Sequence, residues 1–167
     1  MPPRKRARPS PSPGAGDDRR VDRVLHAPGW ARPKGYAHGI VADGPTIFLS
    51  GIVGWDAAGR FAGDDLVSQT RQALTTIVAL LQEAGAVPPD IVRMTWYIVD
   101  KREYLAAQRE LGAVYRDVIG RHFPAMSVVE VAGLLEDRAR VELEVTAVKG
   151  GKRREDVMTT GRDDDGT

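Results

Sequence analysis

Short apolar runs separated by polar turns mark the start of the regular pattern along the chain. The stretch HGIVADGPTIFLSGIVG, residues 38–54, contains two such runs around the turn Asp43-Gly44-Pro45. Two apolar runs joined by a short glycine-containing turn are typical of a β-hairpin. A second polar turn, WDAAGRFAGDD, follows directly. The pattern therefore predicts two paired strands ahead of the first helix.

A helical period begins after this second turn. Asp64 or Asp65 is suited to cap the helix, and Gly85 followed by Pro88 ends it. Recurrence at three- and four-residue steps is typical of a helix with one buried side. The residues that recur in this way are Leu66, Thr70, Ala73, Leu74, Ile77, Leu80, Leu81 and Ala84.

A strand and a second helix come next. DIVRMTWYIVD, residues 90–100, is rich in the β-branched and aromatic residues that favour strands. REYLAAQRELGAVYRDVIG, residues 102–120, is amphipathic and ends at Gly120. Its predicted inner side comprises Leu105, Gln108, Leu111, Tyr115, Val118 and Ile119. Two further runs within residues 121–148 predict the last two strands.

The order β-β-α-β-α-β-β predicts an α+β fold with one mixed sheet and two helices on one face. The other face is expected to keep apolar side chains of the alternating strands. The candidates are Val141, Leu143 and Val145, or else Ile47, Leu49 and Val53. A large apolar surface is unusual on a monomer. The pattern therefore predicts a homo-oligomer in which another copy covers this face.

The chain length of 167 residues fits one domain with tails. Residues 1–25 are rich in Pro, Arg and Ser, and residues 150–167 are highly charged, so both are expected to be disordered. The folded domain is predicted to span residues 26–149. We expect the basic run RKRAR to be part of a solvated tail rather than a patch that binds nucleic acid or serves as a targeting signal.

Composition and charge exclude several kinds of protein. The chain contains no cysteine, which excludes disulfides and thiolate chemistry. A formal net charge of +1 disfavours nucleic acid as a partner. No stretch reaches the roughly 20 apolar residues of a membrane span, and no apolar segment follows the basic N-terminus. A cytoplasmic protein without a membrane partner is expected.

Metal and phosphate sites find little support in the sequence. His26, His38 and His122 are far apart along the chain and lack carboxylates at ligand spacing, so no metal is expected. The glycine-rich phosphate-binding motifs are absent as well. No cofactor is therefore predicted.

A few residues could carry chemistry. Glu142 and Glu144 alternate with apolar residues, which favours a solvated strand face; buried between subunits, either carboxylate could instead hold or activate water. Gly51 either serves strand packing or leaves its backbone N–H bare to a ligand. Tyr36, before the first strand, either packs or closes a pocket. Ser127 has no base beside it in sequence and is not predicted to be a nucleophile.

Four segments resemble the RidA/YjgF family of imine and enamine deaminases. They are GYAHGIVADGPTIFLSGIVGWDAAGRF, SQTRQALTTIVALLQEAGA, DIVRMTWYIVDKREY, and the pair FPAMSVVEVAGL and RVELEVTAV. The resemblance covers about residues 30–149. It implies a chorismate-mutase-like fold and a homotrimer, with a small-molecule cleft at each subunit interface.

The resemblance also implies a chemistry and a set of residues. Typical members hydrolyse reactive 2-imino and 2-enamino acids to 2-oxo acids and ammonia without a cofactor. Glu142 matches the glutamate that positions water. The substrate-binding positions match Tyr36, Gly51, Ser127 and Val128.

One position departs from the family pattern. The family motif PARS contains an arginine that binds the substrate carboxylate, and here the motif reads PAMS, with Met126 in that place. Losing two charge-assisted hydrogen bonds of about 1.5–3 kcal/mol each weakens carboxylate binding by roughly two to four powers of ten. A more neutral or apolar ligand is expected, unless Arg138, Arg140 or Arg32 takes over.

The sequence thus predicts a hydrolytic deaminase of imine or enamine metabolites with an altered substrate preference. The alternative is a trimer of the same fold that binds a small molecule without turnover. Nucleic-acid processing is the third hypothesis, and only the basic tail favours it. One fold can host all three functions.

Overall fold

The computed structural model describes residues 23–31 and 33–150. Most of the two predicted tails, including the RKRAR run, lies outside the described residues, and so does Arg32. The first described residues are already part of a strand, three residues ahead of the predicted start of the domain.

The described residues form six strands and three α-helices. In order they are β1 (Arg23–Leu25), β2 (Gly39–Val41), β3 (Thr46–Val53), α1 (Leu66–Glu83), a short 3-10 helix (Pro88–Asp90), β4 (Ile91–Ile98), α2 (Lys101–Ala106), α3 (Gln108–Val118), β5 (Ala125–Glu130) and β6 (Val141–Val148). The main sheet has the order β3-β6-β4-β5, and β1 pairs with β2 separately. Only the β4–β5 pair is parallel among these described strands. The predicted α+β fold with a mixed sheet and helices on one face is confirmed.

The predicted hairpin between β2 and β3 is wrong. Strand β2 pairs with β1, and β3 pairs with β6. Gly44 has a φ of 137°, well away from the value near +60° that the tight hairpin turns use. The chain therefore leaves the small sheet at this turn and enters the main one.

The second predicted helix is interrupted at Ala107, whose ψ of 7° departs from helical geometry. The break places Tyr104 against the core, with its ring 6.3 Å from that of Trp96. Leu105, predicted on the inner side, is 52% exposed as a result.

The start of α1 is capped by Asp65 rather than Asp64. The Asp65 carboxylate accepts a hydrogen bond of 2.8 Å from the Ser68 backbone N–H. Hydrogen bonds from Ser68 hold the pKa of Asp65 below its usual value. Asp64 instead forms an ion pair with Arg138.

The core lies between the helices and one face of the sheet. Its strand residues include Met94, Trp96, Leu143 and Val145, and α1 adds buried leucine and isoleucine side chains. Complete burial of one such aliphatic side chain contributes about 1.5–3 kcal/mol. No helix in the described ranges is long and apolar enough to cross a membrane.

The expectation of an uncovered apolar face is wrong. The six residues predicted for it are buried or pack against the core: Val141, Leu143, Val145, Ile47, Leu49 and Val53. Of these six, register places only Val53 on the face opposite the helices, which we call the open face. The strand residues on that face are Phe48, Val53, Arg93, Thr95, Tyr97, Ser127, Val129, Glu142, Glu144 and Thr146. Apolar and polar residues alternate along the strands as predicted. The helices, however, cover the apolar side of the sheet and leave the polar side open.

Candidate active site

A bulge in β3 creates the first part of the site. The β3–β6 register shifts between Leu49 and Ile52, so Ser50 and Gly51 have no partner in the ladder. A Cβ atom on Gly51 would lie 1.6 Å from Glu142 Oε1. The glutamate side chain therefore rests directly over the Gly51 backbone, and only glycine leaves room for it there.

Gly51 and Glu142 line a cavity of about 390 Å³ on the open face, which we call the carboxylate cavity. Its other lining residues are Tyr97, Val131, Gly133, Leu134, Leu135 and Glu144. No described residue donates a hydrogen bond to the Glu142 side chain, so its oxygens are free to accept one from a ligand or water.

The neighbouring carboxylate has a partner. Tyr97 Oη donates a hydrogen bond of 3.1 Å to Glu144 Oε2. This bond, followed by the Glu144 charge, raises the pKa of Tyr97, because ionisation would remove the donor and place two negative charges together. Glu144 is thus engaged, and Glu142 is the more available of the two carboxylates.

A second cavity, of about 320 Å³, lies where the segment before β2 meets β5. The Ala37 backbone N–H donates to the Pro124 carbonyl at 2.9 Å and holds that segment against the strand. We call this space the aromatic cavity; its lining residues are Trp30, Tyr36, Ala37, His38, Arg93, Ala125, Met126 and Ser127.

Rings packed edge to face or at a tilt form one wall of the aromatic cavity. The His38 ring lies 5.6 Å from Trp30 and 5.9 Å from Tyr36. His26 also approaches His38, at 6.0 Å and edge to face. These histidines pack as rings, and no group of three potential metal ligands occurs among the described residues.

The predicted site residues fall into two groups within one chain. Tyr36, Met126 and Ser127 line the aromatic cavity, whereas Gly51 and Glu142 line the carboxylate cavity. Val128 lines neither of them.

Strand register explains this separation. Met126 is opposite Met94 and therefore shares the covered face, against which it packs. Glu142 is opposite Tyr97, one residue out of phase with the core positions, and lies on the open face. Within one chain, Met126 and Glu142 therefore point to opposite faces of the sheet and line different cavities.

Two of the arginines considered as substitutes are engaged elsewhere. Arg138 pairs with Asp64 at 2.5 Å and lies over the Phe61 ring. Arg140 binds the Glu103 carboxylate, with its Nε 3.0 Å from Oε2. Neither lines either cavity.

Arg93, which lines the aromatic cavity, was missed from the sequence. It pairs with Ala125 in register, one position before Met126. The alternation of VRMTWY could have revealed it, because a charged residue beside buried Met94 must face away from the helices.

A second missed residue supports the site from the core. Gln69 is fully buried, and its Nε2 donates to the carbonyls of Gly63 and Arg138, each at 2.9 Å. Its Oε1 accepts from the Arg140 backbone N–H at 2.7 Å. Gln69 therefore fixes the turn that leads into β6, two residues before Glu142.

The fold and site together define a class: an α+β domain with two helices behind a mixed sheet, and a strand carboxylate over a glycine bulge. The chain belongs to the RidA/YjgF family. The family model described as Endoribonuclease L-PSP matches residues 27–149.

Named relatives support this membership. A 2-iminobutanoate/2-iminopropanoate deaminase from Capra hircus is 32% identical over 133 residues, covering 79% of this chain and 91% of the relative. The human protein of the same name is 28% identical over the same length. A Rid-family protein of unknown function from Yersinia pestis has a TM-score of 0.67 and 31% identity, covering 76% of this chain and 98% of that one.

Proposed function

We propose that the protein is a cofactor-independent hydrolytic deaminase of reactive imine or enamine metabolites, with a substrate preference altered by Met126. The observation that carries this proposal is the unpartnered Glu142 carboxylate held over the Gly51 bulge in an open cavity. Family membership and the deaminase relatives at about 30% identity support it.

The reaction is a hydrolysis in which Glu142 handles protons. Glu142 accepts a proton from water as the water oxygen bonds to the imine carbon, which gives a carbinolamine. The protonated Glu142 then returns the proton to the nitrogen. The hydroxyl group then gives its proton to Glu142 as the C–N bond breaks, and Glu142 passes that proton to the departing nitrogen, so ammonia leaves and the carbon becomes the carbonyl of the product. One water is consumed, and no electrons are gained or lost.

We propose further that the complete site forms between subunits of a homotrimer. The carboxylate cavity of one subunit would face the aromatic cavity of the next. The reason is that the predicted site residues line two separate cavities within one chain, with Glu142 in one and Met126 in the other. Phe48, on the open face and 77% exposed, is an apolar contact for such an interface.

The experiment measures ammonia release from imines generated in situ by an amino-acid oxidase with catalase. The wild type should release ammonia faster than the buffer blank. Glu142→Gln should lower the enzymatic rate by about 10²–10⁴-fold, as expected for the loss of a general base. Glu83→Gln is the matched control, because Glu83 is exposed at the end of α1 and lines neither cavity.

Full activity of Glu142→Gln would remove Glu142 from the mechanism. A wild-type rate equal to the blank for every imine tested would exclude the deaminase function.

The alternative function is a non-catalytic trimer that binds a small molecule. Met126 favours it, since methionine has no donor for the substrate carboxylate that the family arginine binds. Met126→Arg separates the two functions. If only the variant releases ammonia, the natural protein is a binder; if the wild type does so as well, it is an enzyme.

A further inference from the structure

The aromatic cavity is lined in part by the cationic side chain of Arg93. This side chain replaces the missing family arginine only in part. Arg93 and Met126 line the same cavity, although register assigns them to opposite faces of the sheet. The cavity therefore lies at the outer edge of β5, where groups from both faces meet. Arg93 reaches it from β4, the strand next to β5.

The Arg93 guanidinium is available for a ligand. Its side chain is exposed, and within the described ranges no carboxylate forms an ion pair or hydrogen bond with it. Arg138 and Arg140, by contrast, have acidic partners. A free guanidinium offers a planar pair of N–H donors that matches the two oxygens of a carboxylate.

The opposite wall favours a flat ligand. Trp30 is 72% exposed and Tyr36 is 42% exposed, so both rings have surface left to cover. Met126 also lines the cavity and has no hydrogen-bond donor on its side chain. The volume of about 320 Å³ lies at the lower end of small-ligand pockets, which measure about 300–1,000 Å³.

We propose that this site binds anionic ligands with an aromatic side chain, with Arg93 holding the carboxylate and Trp30 and Tyr36 contacting the ring. The substrate class is then the 2-imino acids derived from aromatic amino acids. That assignment of a substrate rests on the proposed deaminase function, whereas the binding itself does not. Arg93 and Trp30 are specificity-determining residues in this site.

Binding is measured by calorimetry with phenylpyruvate, the 2-oxo acid that the phenylalanine-derived imine would yield. Three probes are compared: phenylpyruvate, pyruvate without the ring, and phenylacetone without the carboxylate. The wild type should bind phenylpyruvate more tightly than either of the other two.

Arg93→Met should weaken phenylpyruvate binding by about ten- to a hundredfold, because a partly exposed pair is worth less than a buried one. The same change should leave phenylacetone binding unaltered. Arg109→Met is the control, since Arg109 is exposed on α3 and lines neither cavity. Trp30→Ala should weaken phenylpyruvate binding and leave pyruvate binding unchanged.

Unchanged phenylpyruvate binding in Arg93→Met overturns the role of Arg93. Equal wild-type affinity for pyruvate and phenylpyruvate overturns the aromatic preference. If Arg93→Met still releases ammonia from the alanine-derived imine and binds phenylpyruvate as tightly as the wild type, this inference is refuted and the deaminase proposal stands. Tight, Arg93-dependent phenylpyruvate binding without any turnover refutes the deaminase proposal and leaves the binding site standing.

Discussion

At the scale of single residues, Gly51 and Glu142 act as a pair. Glycine is required at position 51 because any side chain would occupy the space of the glutamate carboxylate. The backbone at Gly51 is not in the left-handed region, so the requirement is one of room and not of conformation. The bulge thus fixes where the carboxylate rests.

Gly51→Ala tests this pairing. The added methyl group should force the flexible Glu142 side chain to swing away, which lowers ammonia release by about 10²-fold or more. Stability should change by less than about 1 kcal/mol, because the clash is with the movable end of a side chain. The rate comes from the ammonia assay and the stability from urea unfolding.

A double variant supplies the control for Gly51→Ala. The double variant with Glu142→Gln should be no slower than Glu142→Gln alone, because both changes remove the same function. Wild-type activity in Gly51→Ala would contradict the pairing.

The sequence predicted the identity of these residues better than their surroundings. Alternation placed Glu142 on the polar side of its strand, which register confirms. The bulge depends on how β3 and β6 pair over a long separation in sequence, and no local pattern encodes it. Arg93 was readable from alternation, but the cavity beside it exists only because residues 36–38 pack along β5.

At the scale of elements, α1 was the most predictable part of the fold. Its long apolar period and its glycine stop agree with the observed helix, which ends before Gly85 at a φ of 66°. The break at Ala107 could not be predicted, since the local sequence favours a continuous helix. Packing of Tyr104 on Trp96 overrides that preference.

Gln69→Leu tests the link between α1 and the turn before β6. The substitution keeps a similar volume but leaves the Arg140 N–H and two carbonyls without their partner. Buried polar groups without partners cost about 1–3 kcal/mol each, so unfolding should become easier by about 2–5 kcal/mol. Urea titration followed by circular dichroism measures the change.

Gln72→Leu is the matched control for this substitution. Among the described residues its amide forms a hydrogen bond only with Thr76 of the same helix, at 3.3 Å, so the change should be within about 0.5 kcal/mol. Equal losses of stability in Gln69→Leu and Gln72→Leu would show that Gln69 does not connect α1 to the turn before β6.

At the scale of the whole molecule, the sequence pointed to a homo-oligomer for a reason that proved wrong. Five of the six apolar strand residues predicted for the uncovered face pack into the core on the side of the chain's own helices. The proposed trimer rests instead on the split of the predicted site residues between two cavities. Hydrophobic periodicity shows which residues share a face but not which face the helices cover, and that choice decides what remains exposed.

Mixing two inactive variants tests whether subunits share a site. Glu142→Gln and Tyr36→Ala, each expected to lose most of the activity alone because each damages one of the two cavities, are unfolded together and refolded as mixed trimers. About a quarter of the interfaces should combine an intact carboxylate cavity with an intact aromatic cavity, because assembly is random and symmetric. Ammonia release should therefore recover to about that fraction of the wild type.

Light scattering verifies that the mixture is trimeric, at about three times the 18.2 kDa of one chain. Mixed trimers without any recovered activity would show that each site belongs to a single subunit.

The bond between Gln69 and the Arg140 backbone amide has a consequence for hydrogen exchange. Amide protons in turns usually exchange with solvent through small local openings. The Arg140 proton is held by an oxygen that belongs to α1, and it is released only when the turn parts from that helix. Its deuterium uptake should therefore follow the slowest amides of α1, so that a position in a loop reports the opening of the entire domain.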